Sequence, residues 1–236
     1  MPPTGLTSGG PVVSSGAEPR LYWQAMPSFK LAPSAVLMIW YVLLWAAMAI
    51  SPADWKNWML ASLIPALVVG ALVAGRRALP LPPVSYLLIG AFLTLHTIGA
   101  HYTYARMPLG DELAFLLGSG RNDYDRIVHF AFGLLLASPI RDSFACVANV
   151  RGLLLYYLPV MTIVGLSGLW EILESWVAQT LSPELGAAYL GSQGDIWDAQ
   201  KDMAAALYGA VLWVVLSLWV RRRNADAVTD PAASRP

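Results

Sequence analysis

Six apolar stretches dominate this sequence and leave little other material from which a fold could be built. They cover residues 35–50, 58–74, 84–102, 124–140, 152–177 and 195–220. A helix needs about 20 apolar residues to cross the hydrocarbon layer of a bilayer, and each stretch has or approaches that length. Soluble domains contain about 25% charged residues, whereas this chain has 13% charged and 57% hydrophobic residues. The sequence therefore predicts an integral membrane protein.

We predict an all-α, polytopic membrane protein: a bundle of six transmembrane helices with two short extra-membrane connector helices. The fourth span should end at Pro139 and Arg141-Asp142. The connectors are residues 106–122 and 178–194, and the second has a typical helix start at Ser182-Pro183-Glu184. The transmembrane domain then covers residues 34–221. Residues 1–33 are expected to form a disordered or interfacial tail, and residues 222–236 a disordered one.

The positions of lysine and arginine predict the orientation, because cytoplasmic loops of membrane proteins are enriched in both. With the N-terminus inside, the inner loops hold nine such residues and the outer loops five. This pattern favours a multi-pass protein of the bacterial inner membrane with both termini in the cytoplasm. The net charge is zero, which gives no electrostatic basis for binding nucleic acid.

The polar residues of this bundle are concentrated at its predicted outer end, where four helices contribute. Three pairs have spacings that place both members on one helix face. These pairs are Asp125 and His129, Glu171 and Glu174, and Asp198 and Asp202. Glu171 and Glu174 lie one turn apart in an apolar span, so they need a cation, a proton or a nearby arginine.

Carboxylates and an imidazole suggest a divalent metal ion as one occupant of this cluster. The predicted ligands are His129, Glu171, Glu174, Asp198 and Asp202. The pattern differs from the Glu-x-x-His and His-Glu-x-x-His metal motifs, so the sequence specifies neither the metal nor its presence.

Structural interpretations remain open beside the functional one. The whole cluster is also compatible with an ion-pair network that has no chemistry. Asp195 is a candidate N-cap for the sixth helix, and Asn122 or Asp123 for the fourth, with capping favoured over a functional role for Asp123. His96 is expected to form structural hydrogen bonds, and His101 to lie at the membrane interface.

Three stretches resemble a known family. They are residues 121–133 (Arg-Asn-Asp-Tyr-Asp-Arg-Ile-Val-His-Phe-Ala-Phe-Gly), residues 171–174 (Glu-Ile-Leu-Glu) and residues 191–203 (Gly-Ser-Gln-Gly-Asp-Ile-Trp-Asp-Ala-Gln-Lys-Asp-Met). Together they resemble the YjdF-like bacterial inner-membrane proteins over residues 35–220, a likeness that implies no activity. More remotely, the order of the acids and His129, followed by Gly209, is similar to VanZ-like membrane proteins, which are linked to lipoglycopeptide resistance. That similarity implies work at the outer face, on or near envelope lipids.

Function follows from the site rather than from the fold. The leading hypothesis is an enzyme, metal-dependent or not, that acts on a lipid or lipid-linked envelope substrate. The predicted catalytic residues are Asp125, His129, Glu171 and Glu174, with His129 or a carboxylate as general base. Arg121, Arg126 and Gln200 are predicted to bind substrate. A proton- or ion-coupled transporter and a non-enzymatic membrane assembly factor remain alternatives.

Overall fold

The computed structural model describes residues 32–229, including all side chains in that range except those of residues 117, 184, 185, 188 and 225–229. The N-terminal tail expected over residues 1–33 falls almost entirely outside these residues, as does the segment 230–236. Every regular element within the described range is helical, which confirms the all-α prediction.

Eight α-helices and one 3-10 turn follow one another along the described chain. They are α1 (Pro33–Met48), α2 (Trp55–Ala74), α3 (Pro83–Tyr102), the 3-10 turn (Tyr104–Arg106), α4 (Pro108–Leu117), α5 (Tyr124–Val147), α6 (Leu154–Thr180), α7 (Pro183–Leu190) and α8 (Asp198–Thr229). Both predicted connectors contain a helix, namely α4 and α7. The loops before α2, α5 and α8 lie at one end of the bundle, which we call the connector end.

Five helices are long and apolar enough to cross a membrane: α2, α3, α5, α6 and residues 198–224 of α8. Helix α1 is apolar but has 16 residues. At 1.5 Å per residue it is about 24 Å long, less than the roughly 30 Å of a hydrocarbon layer. The described structure therefore establishes five candidate spans out of the six that were predicted.

The predicted end of the fourth span was wrong. Helix α5 passes through Pro139 and continues to Val147. Proline is tolerated in membrane helices because side chains, neighbouring helices and local adjustments can satisfy the backbone carbonyl that it leaves without a donor. Asp142 does not end the helix either, because its buried carboxylate accepts a hydrogen bond from Ser85 of α3 (2.7 Å).

The predicted bounds of the last span were also wrong. Helix α8 begins at Asp198 rather than at residue 195, and it ends at Thr229, beyond the tail boundary placed at residue 222. Residues 221–229 follow the apolar stretch without a proline or glycine, so no residue there interrupts the helix.

Helix α5 is the central helix and packs against α3, α6 and α8. It approaches α8 so closely that a Cβ atom at Gly133 would overlap the carbonyl oxygen of Ala206. The reverse holds at Gly209 of α8, where a Cβ atom would overlap the carbonyl oxygen of Phe130. Small residues allow this approach in membrane bundles, and it fixes α5 and α8 side by side at the connector end.

The buried apolar residues form separate clusters on either side of an open space. One cluster, around Tyr86 and Ile89, joins α1, α2 and α3. Another, around Ile163 and Ala206, joins α5, α6 and α8. The main packing partners of α2 are α1 and α3, while those of α6 are α5, α7 and α8. The side of the bundle between α2 and α6 is therefore loosely closed.

Candidate functional site

The first residues of α5 and α8, with the loops before them, form a network of charged groups that we call the ion-pair layer. It consists of Arg121, Asp123, Arg126, Asp195, Asp198, Lys201 and Asp202. Deeper along α5 and across to α6 lies a second group, Asp125, His129, Glu171 and Glu174, which we call the carboxylate–histidine cluster.

Two arginines hold the ion-pair layer together. Arg121 Nη1 lies 2.5 Å from Asp198 Oδ1, and Arg121 Nε lies 3.4 Å from Asp123 Oδ1. Arg126 binds Asp123 Oδ1 at 2.9 Å and Asp195 Oδ2 at 2.6 Å. Both guanidinium groups are therefore held by aspartates of this chain, and their predicted contact with a substrate remains a prediction.

Asp195 has the most partners in the layer. Besides Arg126, its carboxylate accepts hydrogen bonds from Lys201 Nζ (2.6 Å) and from the backbone N–H of Trp197 (3.0 Å). The Lys201 bond, followed by the Trp197 bond, lowers the pKa of Asp195 to about 2. The prediction that Asp195 is the N-cap of the last helix was wrong in detail. Helix α8 begins at Asp198, and the hydrogen bond from the Trp197 N–H to Asp195 forms a turn just before it. Asp202 is 2% exposed, and its nearest cation is Arg126 at 3.9 Å.

The two connectors are joined by Asn122 and Gln193. The Asn122 N–H donates to the Gln193 side-chain oxygen (3.0 Å), and the Gln193 amide donates to the Asn122 carbonyl (2.9 Å). The Asn122 side-chain oxygen also accepts from the N–H of Tyr124 (3.1 Å). Asp123 occupies the N-cap position of α5, but its carboxylate makes no capping hydrogen bond and binds the arginines instead. The side-chain cap is therefore supplied by Asn122.

The carboxylate–histidine cluster is centred on His129, which is 8% exposed. Its Nε2 lies 3.4 Å from Glu171 Oε1 and 3.7 Å from Asp125 Oδ1. Its Nδ1 lies 3.3 Å from the hydroxyl of Ser167. Within the described residues, Glu171 Oε1 has no hydrogen-bond partner, and no lysine or arginine lies within 4.0 Å of any carboxylate of the cluster. Its carboxylates must therefore share a proton or a cation.

The structure divides the predicted metal ligands between these two groups. Asp198 and Asp202 face the arginines, whereas His129 and Glu171 meet in the cluster. Over residues 32–229, no three histidine, cysteine, aspartate or glutamate side chains are arranged to hold one metal ion. A metal ion at this site stays a prediction. Gln200 is exposed and lies outside both groups.

A cavity of about 350 Å³ extends from the cluster into the bundle. Asp125, His129 and Glu174 line its connector end. One face of α5 lines its length: Asp125, Val128, His129, Phe132, Leu136, Pro139, Ile140 and Ser143. The rest of its wall is mainly apolar and comes from α2, α3 and α6. We call this cavity the chamber.

His96 and Tyr104 form the structural support beside the chamber. His96 Nε2 lies 3.0 Å from the carbonyl of Ala61, and the Tyr104 hydroxyl lies 2.5 Å from His96 Nδ1. Burial, followed by the charges of Asp125 and Glu174, raises the pKa of Tyr104 well above its ordinary value. Tyr104 therefore stays protonated, and its hydroxyl donates a hydrogen bond to His96 Nδ1. These contacts confirm the structural role expected for this histidine. His101 bonds the carbonyl of Met48 (2.8 Å).

Two further spaces adjoin the chamber at the connector end. A narrow one of about 20 Å³, which we call the neck, shares Tyr104, Asp125, Trp170 and Glu174 with the chamber. An outer one of about 240 Å³, the vestibule, is lined by Asp54, Lys56, Arg106, Tyr189 and Gln193, among others. The neck shares Tyr189 with the vestibule. The vestibule residues were not singled out from the sequence, because no motif spacing relates them.

The model of a family described as "Predicted membrane protein (DUF2238)" matches residues 33–223, which is most of the chain. This chain belongs to that family. It is also similar to the "Inner membrane protein YjdF" of Escherichia coli (strain K12), with 36% identity over 168 residues that cover 70% of this chain and 79% of that protein. No solved structure matches.

Family membership confirms two of the predictions from sequence. The motif stretches were correctly identified as YjdF-like, and the chain is a multi-pass protein of the inner membrane embedded in the lipid bilayer. The family's description names no activity. Any function must therefore be argued from the geometry of the chamber and the cluster.

Proposed function

We propose that this protein is an integral membrane enzyme that acts on a lipid or lipid-linked substrate of the bacterial envelope. The observation that supports this proposal is the position of the carboxylate–histidine cluster at the polar end of a long apolar chamber. Unpaired carboxylates beside an apolar cavity are energetically costly in a membrane protein unless they meet a ligand, a proton or a cation. Chamber and cluster together match a molecule with an apolar tail and a reactive polar part.

The proposal places the connector end at the outer face, with six spans and both termini in the cytoplasm. Helix α1 would complete the sixth span by reaching the interface through its flanking residues. The charge distribution supports the orientation. At the connector end, Arg121, Arg126 and Lys201 are all paired with aspartates. The opposite end has the exposed Arg151 and residues 221–223, as cytoplasmic loops do.

His129 is the proposed general base. Its two ring nitrogens have different contacts: Nδ1 meets the Ser167 hydroxyl, and Nε2 faces the carboxylates of Asp125 and Glu171. Glu171 receives or returns the proton, and Asp125 orients the ring. General acid–base catalysis contributes about 10²–10⁴-fold in rate. A divalent metal bound by these same side chains would instead supply an activated water.

A non-enzymatic assembly or stability factor is the second candidate, and the ion-pair layer favours it. All three cations of that layer are occupied by aspartates, as in a purely structural network. The chamber and the carboxylates without a basic partner favour the enzyme. A proton- or ion-coupled transporter is the third candidate, and ion flux into vesicles that contain the purified protein would support it.

The test compares the purified parent with His129→Ala, Glu171→Gln and Gln179→Ala. Gln179 is an exposed residue of the same helix as Glu171 and bonds only Ser175, so it serves as the matched control. Each protein is incubated with an isotope-labelled bacterial envelope lipid extract, and products are followed by mass spectrometry. We expect conversion by the parent and the control, and a loss of about 100-fold or more in the other two.

Two results would contradict the enzyme: no lipid converted by the parent, or the His129 and Glu171 variants converting it at the parent's rate. The metal content of the purified parent, measured by elemental mass spectrometry, separates the two forms of the proposal. A stoichiometric divalent metal that is lost in Glu171→Gln supports the metal-dependent form, and its absence supports acid–base catalysis by His129 alone.

A further inference from the structure

We propose that the substrate is a glycerophospholipid-type amphiphile, with a hydrocarbon chain in the chamber, a hydroxyl-bearing linker at the neck and a phosphate in the vestibule. This inference rests on the proposed function in taking the substrate to be a lipid. It goes further by assigning each part of that lipid to a separate space, so it can be tested by binding alone.

The chamber has the shape and the lining for a hydrocarbon chain. Its lining residues on α5 run from Asp125 to Ser143 at spacings of three and four, so they form one helix face. The helix advances 18 steps of 1.5 Å from Asp125 to Ser143, a length of about 27 Å, which is close to the full thickness of a hydrocarbon layer. The volume of about 350 Å³ is modest for that length. The chamber is therefore a narrow slot, which suits one extended chain.

The chamber can receive that chain directly from the bilayer. Three of its lining residues are substantially exposed, which shows that the chamber wall is open here: Ile64 and Val68 of α2, at 39% and 44%, and Leu166 of α6, at 45%. These residues border the loosely closed side between α2 and α6. Because the surrounding medium there is lipid, a lipid chain can enter sideways without crossing water.

The neck selects for a hydrogen-bond donor. Asp125 and Glu174 line it on opposite helices, and neither has a lysine or arginine within 4.0 Å among the described residues. Carboxyl groups that share a proton still accept hydrogen bonds from hydroxyl or amine groups, and their remaining negative charge repels a phosphate. The part of the ligand at the neck is therefore a hydroxyl-bearing linker, and any phosphate must lie beyond it.

The vestibule supplies the positive charge that a phosphate needs. Lys56 and Arg106 line it, and among the described side chains neither has a carboxylate within 4.0 Å. Asp54, the acid among the described lining residues, is engaged as the N-cap of α2, where it accepts from the Asn57 N–H (2.9 Å). As far as the side chains are described, Lys56 and Arg106 are therefore available to a phosphate, whereas Arg121 and Arg126 are occupied.

The order of the three spaces decides between lipid classes. From the inside outward they are apolar, donor-seeking and cationic. A glycerophospholipid with one chain has the same order: hydrocarbon, glycerol hydroxyl, phosphate. A polyprenyl phosphate lacks the middle element, so its phosphate would meet Asp125 and Glu174 directly.

The test measures equilibrium binding to the purified full-length protein, using isotope-labelled 1-palmitoyl-glycerol-3-phosphate as the probe. Unlabelled monopalmitoylglycerol, which lacks the phosphate, and a polyprenyl phosphate, which lacks the linker, are competitors. We expect the phosphorylated glycerol lipid to bind about tenfold more tightly than either, which corresponds to about 1.4 kcal/mol. The double variant Lys56→Glu/Arg106→Glu should abolish its advantage over monopalmitoylglycerol, while the control Arg151→Glu at the opposite end should keep it.

A second pair of variants tests the chamber from two walls, so that a folding defect in one does not decide the outcome. Leu72→Trp on α2 and Leu136→Trp on α5 should each weaken both glycerol lipids about tenfold while the protein elutes and melts like the parent. Equal binding of monopalmitoylglycerol, tighter binding of the polyprenyl phosphate, or no effect of either tryptophan overturns the inference.

The enzyme proposal and this inference fail separately. A protein that binds the phosphorylated glycerol lipid as expected but converts no lipid retains this inference and loses the enzyme. A protein that converts another lipid class without binding the phosphorylated glycerol lipid retains the enzyme and loses this inference.

Discussion

The ion-pair layer and the carboxylate–histidine cluster lie next to each other at the start of α5, and both are rich in carboxylates. They differ in whether those carboxylates are neutralised by a lysine or arginine. In the layer, Arg121, Arg126 and Lys201 each hold at least one aspartate at 2.5–2.6 Å. In the cluster, the only basic group within 4.0 Å of the described carboxylates is the imidazole of His129. Neutralised charges stabilise an arrangement, whereas carboxylates without a fixed cation remain available for a ligand or a proton.

Helix geometry separates the two groups. Asp123 precedes the first turn of α5, and its carboxylate contacts both Arg121 and Arg126. Asp125 is two residues further on, which turns its side chain to another face of the helix, toward His129 and the chamber. Reactivity in this bundle is therefore decided by which carboxylates the arginines do not reach. The following predictions test this contrast, beginning with the largest effect.

Removing Arg121 should be severely destabilising. Arg121→Met leaves the buried Asp198 without its closest cation, and breaking a buried ion pair from one side costs about 3–5 kcal/mol. The free energy of unfolding, measured by titration with a denaturing detergent in mixed micelles, provides the check.

Glu171→Gln is the matched change in the cluster. It removes a charge that no lysine or arginine neutralises, so we expect the free energy of unfolding to stay within about 1 kcal/mol of the parent. If the two variants are destabilised equally, the contrast between layer and cluster is wrong.

Adding a methyl group to Gly133 should disturb the ion-pair layer more than the cluster. In Gly133→Ala the new Cβ atom meets the Ala206 carbonyl, so α5 and α8 must separate, at a cost of about 1–3 kcal/mol. The layer joins α5 to α8, whereas the cluster joins α5 to α6.

Gly165→Ala on α6 is the control for Gly133→Ala. A Cβ atom at Gly165 would meet no neighbouring atom within 4 Å, and the helix gains a better helix former. Hydrogen exchange should therefore rise around Trp197 and Lys201 in Gly133→Ala alone. Faster exchange confined to α6 would contradict this account.

The smallest effect is the acid dependence of Asp195. The pKa of its carboxyl falls to about 2 in the folded protein because of the Lys201 and Trp197 hydrogen bonds, from an ordinary value near 4. A lowered pKa means that its stabilising contribution is complete above about pH 4 and is lost as the pH falls through about 2.

The melting temperature of the parent minus that of Asp195→Asn, recorded from pH 7 to pH 2, should be constant down to about pH 4 and then shrink. In a Lys201→Met background, the decline should be smaller and should be complete at a higher pH, because the main cause of the low folded-state pKa is gone. A difference that persists unchanged at pH 2, or disappears by pH 6, would be inconsistent with these contacts.

Periodicity and charge placement were sufficient to predict much of the molecule. The i, i+4 spacing of Asp125 and His129 correctly placed them together, and the apolar context of Glu171 correctly marked it as unusual. Membership of the family followed from the motif stretches. These features depend on short-range helix geometry and on composition, which a single sequence contains.

The remaining features depend on tertiary contacts that one sequence does not contain. Pro139 is a helix breaker by its chemistry, and only packing within a bundle keeps α5 intact through it. Asp142 could be assigned to a helix end until its partner Ser85, 57 residues earlier, was visible. Which aspartates the arginines would select was likewise open, because Arg121 had several acids within plausible reach.

The link between the connectors has a consequence for how the protein is made. Asn122 and Gln193 are 71 residues apart, and Arg121 and Asp198 are 77 apart. During synthesis, α5 therefore enters the membrane with two arginines whose partners Asp195 and Asp198 have not yet been translated. The layer can close only when α8, the last helix of the described chain, is inserted beside α5. A chain cut before α8 would leave those two arginines with Asp123 but without Asp195 and Asp198, a form that membrane quality-control proteases are well placed to recognise.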